Sequence, residues 1–152
     1  MNVLLKKYRW GLDFWGLSLF AIIMLPNILY FILVACGVTP ELKTGGGVID
    51  IAATVFQVLG VAALIFIVEK KRKIFTFDRP LFALAGLFLI PYYISWGFYF
   101  LNHLNSGVIL FLAVCPCVSL ILYEIERKNW FALLPTSIFA ALHIVSAILA
   151  VI

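Results

Sequence analysis

Five polar side chains lie within or beside long apolar stretches of the sequence, where hydrogen-bonding groups are costly unless they have partners. His143 is the most informative, because an imidazole can carry a proton, donate or accept a hydrogen bond, or bind a metal ion. Amide side chains and tyrosine hydroxyls can orient a bound molecule through hydrogen bonds. The candidate ligand-binding residues are therefore His143, Gln57, Asn27, Tyr92 and Tyr99.

Patterns typical of catalytic or metal sites are absent from the sequence. Cys115 and Cys117 are two residues apart, so on a helix their side chains point in nearly opposite directions. A C-x-C pair without further Cys or His ligands is not typical of a zinc site. We therefore predict no cofactor, no metal and no catalytic residue. A lipid-acting enzyme that uses His143 as an acid–base remains an alternative interpretation.

The elements that must position these residues are predicted to be transmembrane helices. Hydrophobic residues make up 65% of the 152-residue chain and charged residues 12%, whereas soluble domains average about 45–50% and about 25%. Spanning a hydrocarbon layer of about 30 Å takes roughly 17–25 apolar residues in a helix. The sequence thus predicts an all-α integral membrane protein with a single domain over residues 1–152. Its five helices are predicted at about 14–36, 51–68, 81–101, 108–123 and 130–152.

Basic residues are distributed unevenly between the two predicted sides of the membrane. Ten of the eleven Lys and Arg residues fall on the side of the N-terminus, and Lys43 is the exception. Short loops that are rich in Lys and Arg remain in the cytoplasm. We therefore predict a multi-pass protein of the cell membrane with its N-terminus in the cytoplasm and its C-terminus outside. In this orientation His143, about 20 Å along the last helix, lies in the outer half of the membrane.

One alternative concerns the end of the first helix. The stretch Leu33–Cys36 resembles the cleavage box of a bacterial lipoprotein signal, which would leave four helices and an acylated Cys36. Signal cores are usually about 7–15 residues long, whereas this apolar run is longer and contains Pro26 and Asn27. We therefore predict that the first helix is kept as a transmembrane segment.

Two carboxylates receive structural interpretations. Asp50 lies near the predicted start of the second helix, where the helix dipole favours an acidic side chain, and we predict that it caps the helix. Glu124 follows the predicted end of the fourth helix. We therefore predict that Glu124–Asn129 is a charged turn.

The predicted function is the binding or passage of a small apolar or amphipathic molecule. Asn27, Gln57, Tyr92 and His143 occupy similar or neighbouring depths on four different predicted helices, so they can converge on a pocket in the outer half of the membrane. The alternative is an accessory, structural or immunity-type subunit of a larger membrane complex, in which the same groups only join helices. The expected partners are the lipid bilayer and a small apolar ligand, or a membrane protein in the alternative. No nucleic-acid partner is expected.

Overall fold

The computed structural model describes residues 7–42, 46–70 and 79–152. Within them the chain forms five helices and two short strands, and each helix is long and apolar enough to cross a membrane. The prediction of an all-α architecture with five such helices is confirmed. In chain order the elements are β1 (Tyr8–Trp10), α1 (Phe14–Ala35), α2 (Val48–Phe66), β2 (Ile67–Glu69), α3 (Pro80–Phe100), α4 (Ser106–Glu126) and α5 (Trp130–Leu149).

Side-chain caps define where three of the helices begin. Asp13, Asn105 and Asn129 each accept a hydrogen bond from a backbone amide in the first turn of α1, α4 and α5. The first amides of a helix have no partner within the helix, and lipid supplies none. These caps therefore fix the residues at which the three helices start. Lys128, with a φ of 53°, closes the tight turn between α4 and α5.

Four helices pack in the order α2–α5–α4–α3, and α1 lies against α2, α4 and α3. This arrangement places the start of α1, the end of α2 and the α4–α5 turn at one end of the bundle. The two strands lie at the same end and pair antiparallel, with Tyr8 opposite Glu69 and Trp10 opposite Ile67. We call this the sheet end. The sequence predicted a second helix running to Val68, but α2 stops at Phe66 because the next three residues pair with β1.

The predicted charged turn at Glu124–Asn129 is wrong at its beginning. Helix α4 continues to Glu126, and Glu124 is buried with a relative exposure of 1%. The Thr136 hydroxyl on α5 donates a hydrogen bond of 2.7 Å to Glu124 Oε1. A buried polar group needs such a partner, and Thr136 supplies it from the neighbouring helix.

Buried polar contacts also join the elements at the sheet end. The Arg127 guanidinium forms a salt bridge with Asp13 at 2.9 Å and so links the end of α4 to the start of α1. The Asn129 side-chain amide donates to the backbone carbonyls of Ala63 and Ile67 at 3.1 and 2.9 Å. Asn129 thereby fixes the point at which α2 gives way to β2.

Candidate functional site

Two adjoining cavities lie inside the bundle, the small one in the half away from the sheet end and the large one extending from there past the middle of the helices. The large chamber, of about 360 Å³, is enclosed by residues of all five helices, and the small chamber has a volume of about 170 Å³. The two chambers share four lining residues. These are Asn27, Asp50, Leu112 and His143.

The structure brings four of the five predicted site residues together. Asn27, Gln57, Tyr92 and His143 all line the large chamber, on α1, α2, α3 and α5. Apolar side chains complete its wall, among them Phe20, Met24, Leu120 and Phe139. The chamber therefore combines a few polar groups with mostly apolar walls, which is the usual composition of a ligand pocket. That these residues contact a ligand remains a prediction.

Tyr99 does not line either chamber. Its hydroxyl donates a hydrogen bond to the backbone carbonyl of Pro40, and its ring packs against Tyr30 and Trp96 with centroid distances of 5.7 and 5.4 Å. Tyr30 and Trp96 do line the small chamber. Tyr99 thus packs against two residues that line the small chamber but does not line the chamber itself.

Carbonyl groups next to a proline in α1 accept hydrogen bonds from Tyr92 and Tyr93. Pro26 has no amide hydrogen, so the carbonyl of Ile22, four residues earlier, lacks its helical donor. The Tyr93 hydroxyl donates to this carbonyl at 2.6 Å. The Tyr92 hydroxyl donates to the next carbonyl, that of Ile23, at 2.7 Å.

The Asn27 side-chain amide completes this connection between α1 and α3. It donates to the Tyr92 hydroxyl at 2.7 Å and to the Ile23 carbonyl at 2.9 Å. Tyr92 is almost completely buried, so its hydroxyl needs these partners. The contacts join two helices and hold the Asn27 side chain at the boundary between the two chambers.

Three other polar groups around the chambers lack a hydrogen-bond partner within the described residues. The Trp96 indole N–H is buried near the Tyr92 side chain but forms no well-aligned hydrogen bond with it. The Gln57 amide and the His143 imidazole line the large chamber and have none there. The His143 ring stacks on Phe139, with ring centroids 5.1 Å apart and planes inclined by 22°. The Trp96 N–H is thus a buried donor beside the small chamber, whereas Gln57 and His143 are half-buried side chains whose polar groups line the large chamber.

Asp50 lines both chambers, although its position in the sequence predicted a role in helix capping. It does lie in the first turn of α2, but the residue at the cap is Gly47 and no side chain caps this helix. The Asp50 carboxylate instead accepts hydrogen bonds from the Gly46 amide at 2.7 Å and from the Ser146 hydroxyl on α5. The prediction is therefore right about the location, since the carboxylate lies in the first turn and binds an amide at the start of α2, but Gly47 and not Asp50 is the cap residue. The sequence did contain one indication that Asp50 lies near the site. It is seven residues, or two helical turns, from Gln57, so the two side chains share a face of α2.

An imidazole, a carboxylate and a thiol each occur once among the described lining residues, on His143, Asp50 and Cys117. Within the described parts of the chain, no group of three His, Cys, Asp or Glu side chains could hold a metal ion. Cys115 and Cys117 are buried free thiols, and only Cys117 lines a chamber. Comparison of the chain with protein families, curated proteins and solved structures found no match.

Proposed function

We propose that this protein binds a small amphipathic molecule in the two chambers and holds it there or passes it on within the membrane. The observation that carries the proposal is that hydrogen-bonding groups of Gln57, Trp96 and His143 without described partners lie beside an apolar wall. A molecule with one polar end satisfies those groups while its apolar part fills the remaining volume. At about 360 Å³, the large chamber is within the range of roughly 300–1,000 Å³ found for ligand pockets.

The same proposal includes an orientation in the cell membrane, with the sheet end in the cytoplasm. Lys7, Lys70, Arg79 and Lys128 belong to segments at the sheet end, and basic segments of short loops remain cytoplasmic. The small chamber then lies in the outer half of the bilayer, and the large chamber extends from it to the middle. A ligand would reach them from the outer leaflet or from outside the cell.

Cysteine labelling tests this orientation. In a Cys36→Ser background, we expect His103→Cys, in the loop between α3 and α4, to react with a membrane-impermeant maleimide in intact cells. Lys70→Cys, at the sheet end, should react only after the membrane is permeabilised. Both native residues are exposed, and the remaining Cys115 and Cys117 are buried. Labelling of Lys70→Cys in intact cells would contradict the orientation.

Ligand binding is tested by saturation binding of a labelled panel of fatty acids, sterols and amphipathic amines to the purified protein in nanodiscs. We expect at least one probe to bind saturably. His143→Ala and Gln57→Leu should each weaken that binding by roughly 3- to 10-fold, because a net hydrogen bond contributes about 0.5–1.5 kcal/mol.

The matched control is Val145→Ala, which shortens an exposed side chain on the same helix and should leave the affinity unchanged. Two results count against the proposal. One is that no probe saturates. The other is that His143→Ala and Val145→Ala behave alike.

A further inference from the structure

A further cavity, separate from the two chambers, lies at the sheet end on the outward-facing surface of the bundle, between α2 and α5. It is an apolar trough of about 460 Å³. Small side chains leave it open, since Ala62, Ala63 and Pro135 lie among larger aromatic neighbours such as Phe56 and Phe66. None of its lining residues is a chamber residue, so the trough is independent of the proposed ligand site.

The trough continues into a smaller cavity of about 240 Å³ on strand β1. The two share Trp10, Ile67 and Phe131, and the smaller one is also lined by Tyr8 and Arg9. We call the two cavities together the groove. One end of the groove is therefore entirely apolar, and the other carries a guanidinium group.

Contacts of Tyr8 hold the polar end of the groove in place. Its hydroxyl donates to the Lys128 carbonyl at 2.7 Å, and its ring meets Phe131 edge-on with centroids 5.0 Å apart. These contacts fix β1 over the start of α5. Arg9 and Trp10 follow directly in the same strand, and Trp10 has a relative exposure of 84%.

Positive charge exceeds negative charge around this end. Three of the four described acidic residues at this end are paired with basic ones, and the fourth, Glu124, is buried against Thr136. Arg9, Lys70 and Lys128 are exposed and have no ion pair in the described segments. An anionic group near these side chains is therefore favoured. The pairs are Lys7–Glu69, Arg79–Glu126 and Arg127–Asp13.

We infer that the groove binds an anionic phospholipid, with one acyl chain in the trough and the phosphate at Arg9. The trough extends along α2 from Phe56 to Phe66, a rise of about 15 Å at ~1.5 Å per residue, which accommodates most of an acyl chain. Arginine suits the phosphate because its planar fork of N–H donors binds phosphate oxygens in pairs. The exposed indole of Trp10 lies at the junction, the position that tryptophan favours at membrane interfaces.

Fluorescence quenching by brominated lipids tests the inference at Trp10. In a protein that keeps Trp10 alone (Trp15→Phe, Trp96→Phe, Trp130→Phe), we expect chain-brominated phosphatidylglycerol to quench Trp10 more than brominated phosphatidylcholine at the same mole fraction. Arg9→Gln should lower this preference about fivefold, since a basic residue near anionic lipid contributes about 1 kcal/mol. Lys70→Gln removes the same charge at the same end but outside the groove, and should change the preference less than twofold.

A third variant tests the trough. Ala62→Phe fills it without changing charge and should also lower the quenching by phosphatidylglycerol. If the single-tryptophan protein does not fold, native mass spectrometry of bound phosphatidylglycerol, with the natural tryptophans present, measures the same three effects. Equal quenching by both lipids, equal effects of Arg9→Gln and Lys70→Gln, or an unaffected Ala62→Phe variant would each overturn the site. None of these outcomes bears on ligand binding in the chambers.

Discussion

Replacing Arg127 with glutamine is expected to destabilise the protein by about 3–5 kcal/mol, the cost typical of leaving one partner of a buried ion pair alone. Asp13 has a relative exposure of 4%, and Arg127 Nη2 and Nε lie 2.9 and 3.2 Å from its two carboxylate oxygens. Without the guanidinium this carboxyl group loses its ion-pair partner in a poorly solvated site. The midpoint of thermal unfolding in detergent should fall by roughly 10 °C.

Other contacts of Arg127 add to this effect. Its Nε also donates to the Tyr123 hydroxyl at 3.0 Å, and its guanidinium lies 5.5 and 5.7 Å from the ring centroids of Tyr123 and Phe82. Burial lowers the pKa of Arg127, but its hydrogen bonds and charge interactions with Asp13 and Tyr123 together raise it above the usual value. The side chain therefore remains charged.

The neighbouring residue provides the control for this prediction. Lys128→Gln removes a positive charge one position later, from an exposed side chain, and should change stability by less than about 0.5 kcal/mol. The double variant Asp13→Asn with Arg127→Gln should be less destabilised than the sum of its single variants, because neither charge remains unpaired. Equal unfolding midpoints for Arg127→Gln and Lys128→Gln would show that the buried pair does not hold α1 against α4.

The ion pair illustrates what could not be predicted from the sequence. The five helices follow from the lengths of the apolar runs, and their bounds are close to the predicted ones because lipid forces each run into a helix. Asp13 and Arg127 are 114 positions apart, and both lie in polar segments that resemble ordinary loop ends. In the sequence, Arg127 was only one of ten basic residues that indicate which end of the helices faces the cytoplasm. Its burial depends on how α1 crosses the end of α4, which no local pattern encodes.

The residues of the candidate site were likewise only partly predictable from the sequence. His143, Gln57, Asn27 and Tyr92 could be identified because each is a polar residue in an apolar run, and such residues face the bundle interior. Trp96 carried the same signal more weakly, since an aromatic residue near a helix end is also typical of the membrane interface.

Outside the chambers, Glu124 was missed because it stands two residues from Glu126 and three from Arg127, a pattern typical of a solvated turn. Its partner Thr136 lies on the next helix.

Replacing Gly60 with alanine is the second change expected to have a large effect, and its direction is opposite to helix propensity. Alanine normally favours a helix over glycine by about 0.8–1 kcal/mol. A Cβ at Gly60, however, would lie 2.6 Å from Thr136 Oγ1 and 3.2 Å from the Thr136 backbone nitrogen. The backbone nitrogen cannot rotate away as a side chain can, so α2 and α5 must separate. Overpacking of this kind costs about 1–3 kcal/mol.

The clash should also disturb the buried carboxyl group of Glu124. The Thr136 hydroxyl is the hydrogen-bond donor to Glu124 Oε1, and Oε2 is buried without a partner among the described residues. If the threonine moves, neither oxygen keeps a donor, and the cost of an unsatisfied polar group of about 1–3 kcal/mol is added. We therefore expect Gly60→Ala to lower the free energy of unfolding by roughly 2–4 kcal/mol in total, because the steric and polar costs together exceed the gain in propensity.

Gly86 provides the matched control, because it is also a helical glycine but an added Cβ there would meet no atom within 4 Å. Gly86→Ala should be neutral or slightly stabilising, whereas Gly60→Ala should be destabilising in the same thermal unfolding assay. Adding Thr136→Ala to Gly60→Ala removes the 2.6 Å contact but leaves the backbone contact and deprives Glu124 of its donor, so it should restore little stability. A Gly60→Ala protein as stable as Gly86→Ala would mean that α2 and α5 do not approach as closely as the contact at Thr136 requires. The two helices that carry Gln57 and His143 would then be wrongly positioned as well, since this contact sets the spacing of α2 and α5 on that side of the large chamber.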